Sequence, residues 1–154
     1  MEPRVVKVEP MRMVGVVLKT SMEEVAQNNP IPTLWSQIFT DGRRDILNKL
    51  KGNNRAEYGV CIVHDDDSME YVIAVELEKF RFAPKDFYKC EIPGGEYLAV
   101  ETTTTTLGEA WMKITKWLDE NGYEIAHGTS FEYYDQRMNE EEMKFDIYAP
   151  IVKA

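Results

Sequence analysis

The stretch FEYYD, residues 131–135, sets the carboxylate of Glu132 between Phe131, Tyr133 and Tyr134. Taking a carboxylate out of water is costly, so its surroundings decide what it can do. On the outer face of a sheet Glu132 would only add solubility, and the residue pattern alone favours that position. At the floor of an aromatic groove its pKa would rise. There it could neutralise a lipophilic cation held against ring faces, or take a proton from water as a general base. Wall material is plentiful, because the chain holds eight tyrosines and three tryptophans. Each Tyr offers a flat side and one polar tip. Residue types alone do not select which rings line a cavity, and the tryptophans sit on helical stripes that suit core; Trp35, Tyr88, Tyr97, Trp111, Tyr134 and Tyr148 are the candidates to join Glu132. Tyr58, Tyr71, Trp117, Phe131 and Tyr133 belong to the wider aromatic set.

Other reactive groups have plainer readings. His64 before Asp65-Asp66-Asp67 has metal-ligand residue types but falls in a hairpin turn, where Asp bonds the local backbone. His127 has no ligand-like spacing, and neither a metal nor a cofactor is expected. Cys61 and Cys90 form no CxxC, which suits reduced thiols in a cytosolic protein. Cys61, in an apolar strand, reads as inert core. EIPGG at 91–95 lacks the glycine and lysine spacing of a phosphate loop and reads as a turn.

Two helical segments and six strands must position these groups. In residues 107–118, Leu107, Ala110, Trp111, Ile114, Trp117 and Leu118 recur at spacings of three and four, the stripe of an amphipathic helix. Thr106 and Glu109 predict a capping box, and Asn121-Gly122 a left-handed stop. An earlier helical stripe runs from Leu34 to Leu50, with Asp41-Gly42 breaking it in two. The strand-like runs are MRMVGVVLKT, EYGVCIVH and MEYVIAVEL in the first half, then GEYLAVETT, SFEYYD and MKFDIYAPI in the second. The order strand–helix–strand–strand therefore occurs twice, over about 1–83 and 84–154, as an internal repeat. An α+β fold follows: one antiparallel sheet with both main helices on one face, the other face being either solvent or a groove. Alternation separates Phe131 and Tyr133 from Glu132 and Tyr134. The helices need an apolar bed, which predicts Phe131/Tyr133 and Phe145/Ile147 beneath them, with Glu132, Tyr134 and Tyr148 opposite.

The chain has 154 residues, of which 44% are hydrophobic and 29% charged, which suits one globular domain. Its net charge is −9, which speaks against direct nucleic-acid binding, since phosphate contacts need a basic face. It fits cationic small molecules or a basic partner surface. No apolar run reaches bilayer length and the first residues lack a signal-peptide pattern, so no membrane association and a cytoplasmic location are expected.

The ordered pieces IPGGEYLAVETT, LGEAWMKITKWLDENGYE, FEYYD and FDIYAPI, together with EPMRMVGV near the start, resemble the GyrI-like family. That family comprises small-molecule-binding domains related to DNA gyrase inhibitory protein and to the effector domains of multidrug-responsive transcription activators. The resemblance spans nearly the whole chain and implies a single domain, 1–154, of the inferred fold, with a ligand groove between the two halves. It also implies an acidic groove residue at Glu132, a tyrosine at Tyr97 and a tryptophan at Trp111, which turns the balance for Glu132 toward the groove. Its relatives imply a free-standing binder that sequesters flat hydrophobic or cationic compounds. They also imply hydrolysis of strained cyclopropane-bearing electrophiles, with Glu132 and Tyr97 as the catalytic pair. The competing reading is an interaction module that inhibits DNA gyrase through its acidic surface. Thr102–Thr106 and Thr129-Ser130 depart from the family's loop pattern, so ligand preference does not transfer.

Overall fold

The computed structural model describes residues 2–154. Strands β1 (Arg4–Val8) and β2 (Met11–Ser21) lead into helices α1 (Met22–Asn28), α2 (Ile31–Thr40) and α3 (Arg43–Leu50). Strands β3 (Glu57–Val63), β4 (Ser68–Glu76), β5 (Tyr88–Ile92) and β6 (Gly95–Thr102) follow. Helix α4 (Leu107–Asn121), β7 (Tyr123–Ile125), β8 (Thr129–Tyr134) and β9 (Phe145–Lys153) complete the chain. The fold is α+β, with all strands in one antiparallel sheet of order β1-β6-β9-β8-β3-β4-β2-β5 and β7 against β9. The halves are mirror images in this order: β5-β2-β4-β3 and β1-β6-β9-β8 meet at β3 and β8.

The predicted break in the first helix occurs where expected. Gly42 adopts φ 89°, in the left-handed region, and separates α2 from α3. The left-handed stop of α4 is Gly122 at φ 73°. Its predicted capping box does not form. Thr106 Oγ1 instead accepts from the Thr103 backbone N–H at 3.1 Å and lies 3.1 Å from the Thr102 hydroxyl, so the loop uses it before the helix can. Strands β1, β5 and β7 and helix α1 have no counterpart in the sequence reading.

Helices α2 and α3 pack Leu34, Ile38 and Leu47 on Val14, Val16, Tyr71, Ile73 and Val75 of one half. Helix α4 packs Ala110, Ile114 and Leu118 on Leu98, Val100, Phe145, Ile147 and Ala149 of the other. Cross-strand pairing places both beds on the same face, since Val16 pairs Ile73, Ile73 pairs Gly59, Gly59 pairs Glu132, Glu132 pairs Ile147 and Ile147 pairs Val100. All the main helices thus cover one face, and the β3–β8 seam is the floor between them.

The opposite face carries its own core of Met13, Tyr58, Val60, Val72, Ile92, Tyr97 and Phe131. Curling of the sheet buries it. The two edge strands β1 and β5 lie at opposite ends of the order, yet Glu9-Pro10 joins β1 to β2 and Pro93-Gly94 joins β5 to β6. Two residues reach only about 10 Å, so both ends of the sheet must approach each other. A Cβ on Gly94 would lie 2.7 Å from Pro10 Cδ, which brings the two links into contact.

The carboxylate cage at the β3–β8 seam

Register corrects the predicted faces. Phe131 pairs Tyr148 while Glu132 pairs Ile147, and directly paired residues share a face. Glu132 and Tyr134 therefore lie beneath the helices, and Phe131, Tyr133 and Tyr148 lie on the curled inner face. An apolar bed was the wrong criterion on β8, because both of its faces are buried against rings.

Glu132 is built into a hydrogen-bonded cage. Its Oε1 accepts from the Tyr71 hydroxyl at 2.6 Å and from the Tyr134 hydroxyl at 2.9 Å. The Trp35 indole N–H on α2 donates to the Tyr71 oxygen at 3.0 Å. The Trp35 ring also meets Tyr134 edge-on, with centroids 5.4 Å apart, a favoured aromatic geometry. Half-buried Trp35 thus bridges the two halves over the carboxylate. Oε2 takes no hydrogen bond from a described residue, and among the described residues no fully buried side-chain oxygen lacks a partner, so Oε2 is not sealed off from the surface.

Gly59 makes the cage possible. It stands opposite Glu132 in the register, and a Cβ there would fall 2.2 Å from both Glu132 Oε1 and the Tyr71 oxygen. Gly within a strand marks close approach of another group, and Gly59 in EYGVCIV is the sequence signal of that approach. Tyr71 belongs to the wider aromatic set, and its nearness to Glu132 arises only across two strand pairings, β4–β3 and β3–β8.

Burial is the main cause that raises the Glu132 pKa above its ordinary 4.5, and the two tyrosine hydrogen bonds oppose it. Tyr71 and Tyr134 are raised as well, first by burial and then by the Glu132 charge, so both stay protonated donors at neutral pH. Cys61, on the same face, is pushed up to about 11 by burial and then by Glu132, which leaves it a thiol.

The other candidates lie elsewhere. Tyr97 faces the curled side, where its hydroxyl donates to the Pro93 carbonyl at 2.7 Å. It stands across the sheet from Glu132, which removes the predicted direct Glu132–Tyr97 pair. Tyr148 stacks on Phe131 with centroids 4.6 Å apart, on the same inner side. Tyr88 donates to Glu70 Oε2, and Glu70 Oε1 lies 3.1 Å from His64 Nε2. Trp111 packs against the α4 core and lines an open depression of about 600 Å³ with Met112, Thr115, Lys116, Asp119 and Glu120. Of the chosen residues, Glu132, Tyr134 and Trp35 come together. No group of metal-ligand side chains that could hold an ion occurs among the described residues, and no described helix is long and apolar enough to cross a membrane.

An antiparallel sheet with helices on one face, parted around a buried carboxylate and its rings, defines a small-molecule effector-binding domain. The chain belongs to the Cass2 family, the integron-associated effector binding proteins, whose model matches residues 4–151. It is similar to the transcriptional regulator BrlR of Pseudomonas aeruginosa, at 29% identity over 133 residues, 82% of this chain and 48% of that protein. The chain thus spans about half the length of the curated relative it matches. Its fold matches SAV2435 bound to tetraphenylphosphonium, with a TM-score of 0.81 at 19% identity, over 99% of this chain and 94% of that one. An integron cassette protein from the mobile metagenome of Vibrio cholerae matches with a TM-score of 0.72 at 13% identity, over 98% and 96%. At these identities the structural matches establish the fold.

Proposed function

We propose that the chain binds and sequesters lipophilic cations and flat aromatic compounds at the β3–β8 seam, with Glu132 as the counter-charge. One observation carries this reading: at the seam where the Trp35 ring meets Tyr134 edge-on, a carboxylate held through one oxygen by two tyrosine hydroxyls keeps its second oxygen out of those hydrogen bonds. Charge attraction in such a site is far stronger than in water, and ring faces add to it for a cation. The structural neighbour bound to tetraphenylphosphonium supports the same ligand class. Titrating tetraphenylphosphonium while following tryptophan fluorescence tests it. The wild type binds, and Glu132→Gln binds at least about tenfold more weakly, the worth of one lost charge-assisted contact. Equal affinity for the two proteins would remove Glu132 from the site.

Hydrolysis is a second reading, favoured by the free Oε2 and its raised basicity, the properties of a general base. In it Oε2 takes a proton from water as the water oxygen bonds to a strained cyclopropane carbon. The ring C–C bond at that carbon breaks, and the departing fragment that keeps its electron pair takes up a proton, with Tyr71 or Tyr134 the nearby donor in place of Tyr97. The test is turnover of a cyclopropane-bearing electrophile. The wild type consumes it, and Glu132→Gln retains binding of the electrophile without turnover. Consumption at the uncatalysed rate by wild type leaves binding as the whole function.

A further inference from the structure

A second carboxylate lies on the floor of the same seam. Glu57 pairs Tyr134 on β8, so it shares a face with Glu132, and the two backbone positions are diagonal neighbours roughly 7–8 Å apart. The Glu57 carboxylate is held by the Arg44 guanidinium of α3, with contacts of 2.7 and 3.1 Å, and lies 3.8 Å from Lys51 Nζ. Arg44 in turn lies over the Phe39 ring, 4.4 Å from its centroid. Phe39 is 58% exposed and its centroid is 6.5 Å from that of Trp35, which meets Tyr134. One wall of rings, Tyr134, Trp35 and Phe39, therefore runs from the first carboxylate to the second.

What sits at its far end is a planar cation between a carboxylate and an aromatic face. Arg44 shows by its own placement that this end accepts such a group. Its side chain is 31% exposed, so it can turn out to water, leaving Lys51 as the remaining partner of Glu57.

We propose that Glu57 and Phe39 form a second cation subsite, occupied by Arg44 at rest, so that the groove takes planar aromatic dications. One charge rests at Glu132, and the other displaces Arg44 from Glu57. This rests on the Glu132 reading above and extends it to a ligand class. Arg44 then acts as a selectivity element, because a monocation has no reason to displace it.

The test is calorimetric titration of the whole chain with two probes of one shape. Methyl viologen carries two charged rings, and N-methyl-4-phenylpyridinium carries one. In wild type the dication binds more tightly than the monocation. Arg44→Met keeps an apolar stem on Phe39 and widens that ratio by about tenfold, since no resident guanidinium has to leave. Glu57→Gln brings the ratio close to one, and thermal unfolding of both variants confirms that they are folded. A ratio unchanged by Arg44→Met, or undiminished in folded Glu57→Gln, overturns the subsite. The monocation alone reports on Glu132. If Glu132→Gln leaves monocation binding intact, the underlying reading fails; if it abolishes that binding while the ratio ignores Glu57, only the second subsite fails.

Discussion

At the residue scale, the proposed function rests on three groups in close approach, Gly59, Tyr71 and Glu132. Gly59→Ala forces a methyl into the 2.2 Å contacts with Glu132 Oε1 and the Tyr71 oxygen. Overpacking of this kind costs about 1–3 kcal/mol, and denaturant unfolding reads it directly. The same variant should bind tetraphenylphosphonium more weakly, because the carboxylate must leave its cage. Ionisation of Glu132 has a definite sign in stability. Its folded pKa lies above the ordinary 4.5, so the folded protein holds this proton after the unfolded chain has released it. The stability it contributes is full below pH 4.5 and is lost as pH rises through the folded pKa. Wild type should therefore lose stability relative to Glu132→Gln across that window, as read by unfolding at a series of pH values. The carboxylate itself was legible in the sequence as an acid among rings. Gly59 and Tyr71 were not read as its partners, since neither is its neighbour along the chain.

At the element scale, periodicity located strands and helices well, and the paired strand–helix–strand–strand order led to the α+β sheet with its helices on one face. What alternation could not decide was which face of β8 meets the helices. Both contain aromatic residues, Phe131 and Tyr133 on one and Tyr134 on the other, and only the register with β9 separates them. Short edge strands such as β1 and β5 escaped because RVVKV and YKCEI mix charge into five-residue runs. The break between α2 and α3 was legible because Asp-Gly is a strong turn signal. Gly42 at φ 89° predicts that Gly42→Ala loses about 1–2 kcal/mol, the cost of a left-handed L-residue, measured as a lowered denaturation midpoint. Trp35 on α2 carries the site's link to the helices, and Trp35→Phe removes its N–H while keeping a ring. That variant should lose about 0.5–1.5 kcal/mol, with tetraphenylphosphonium binding weakened and not abolished.

At the scale of the whole molecule, the curl of the sheet divides labour between its faces. The inner face packs Tyr58, Tyr97, Phe131, Tyr133 and Tyr148 ring on ring. Arg137 closes that side through Asp135, Asp146 and Glu101 at 2.8 to 3.1 Å. The helix-covered face holds the Glu132 cage at the seam. Phe131→Ala should cost about 3–5 kcal/mol, typical of a buried aromatic, through the inner core and not through the cage. The placement of Tyr97, Tyr148 and Tyr88 was not legible in the sequence, because eight tyrosines do not reveal that a nine-stranded sheet has two buried faces. The central claim, that the seam binds cations through an ionised Glu132, is tested most directly by the pH dependence of tetraphenylphosphonium affinity in wild type and Glu132→Gln. The account predicts wild-type affinity that climbs with pH above 4.5, by up to about tenfold per unit for one linked proton, against a weak and flat profile for the variant. A flat wild-type profile, or coincident curves for the two proteins, would contradict it.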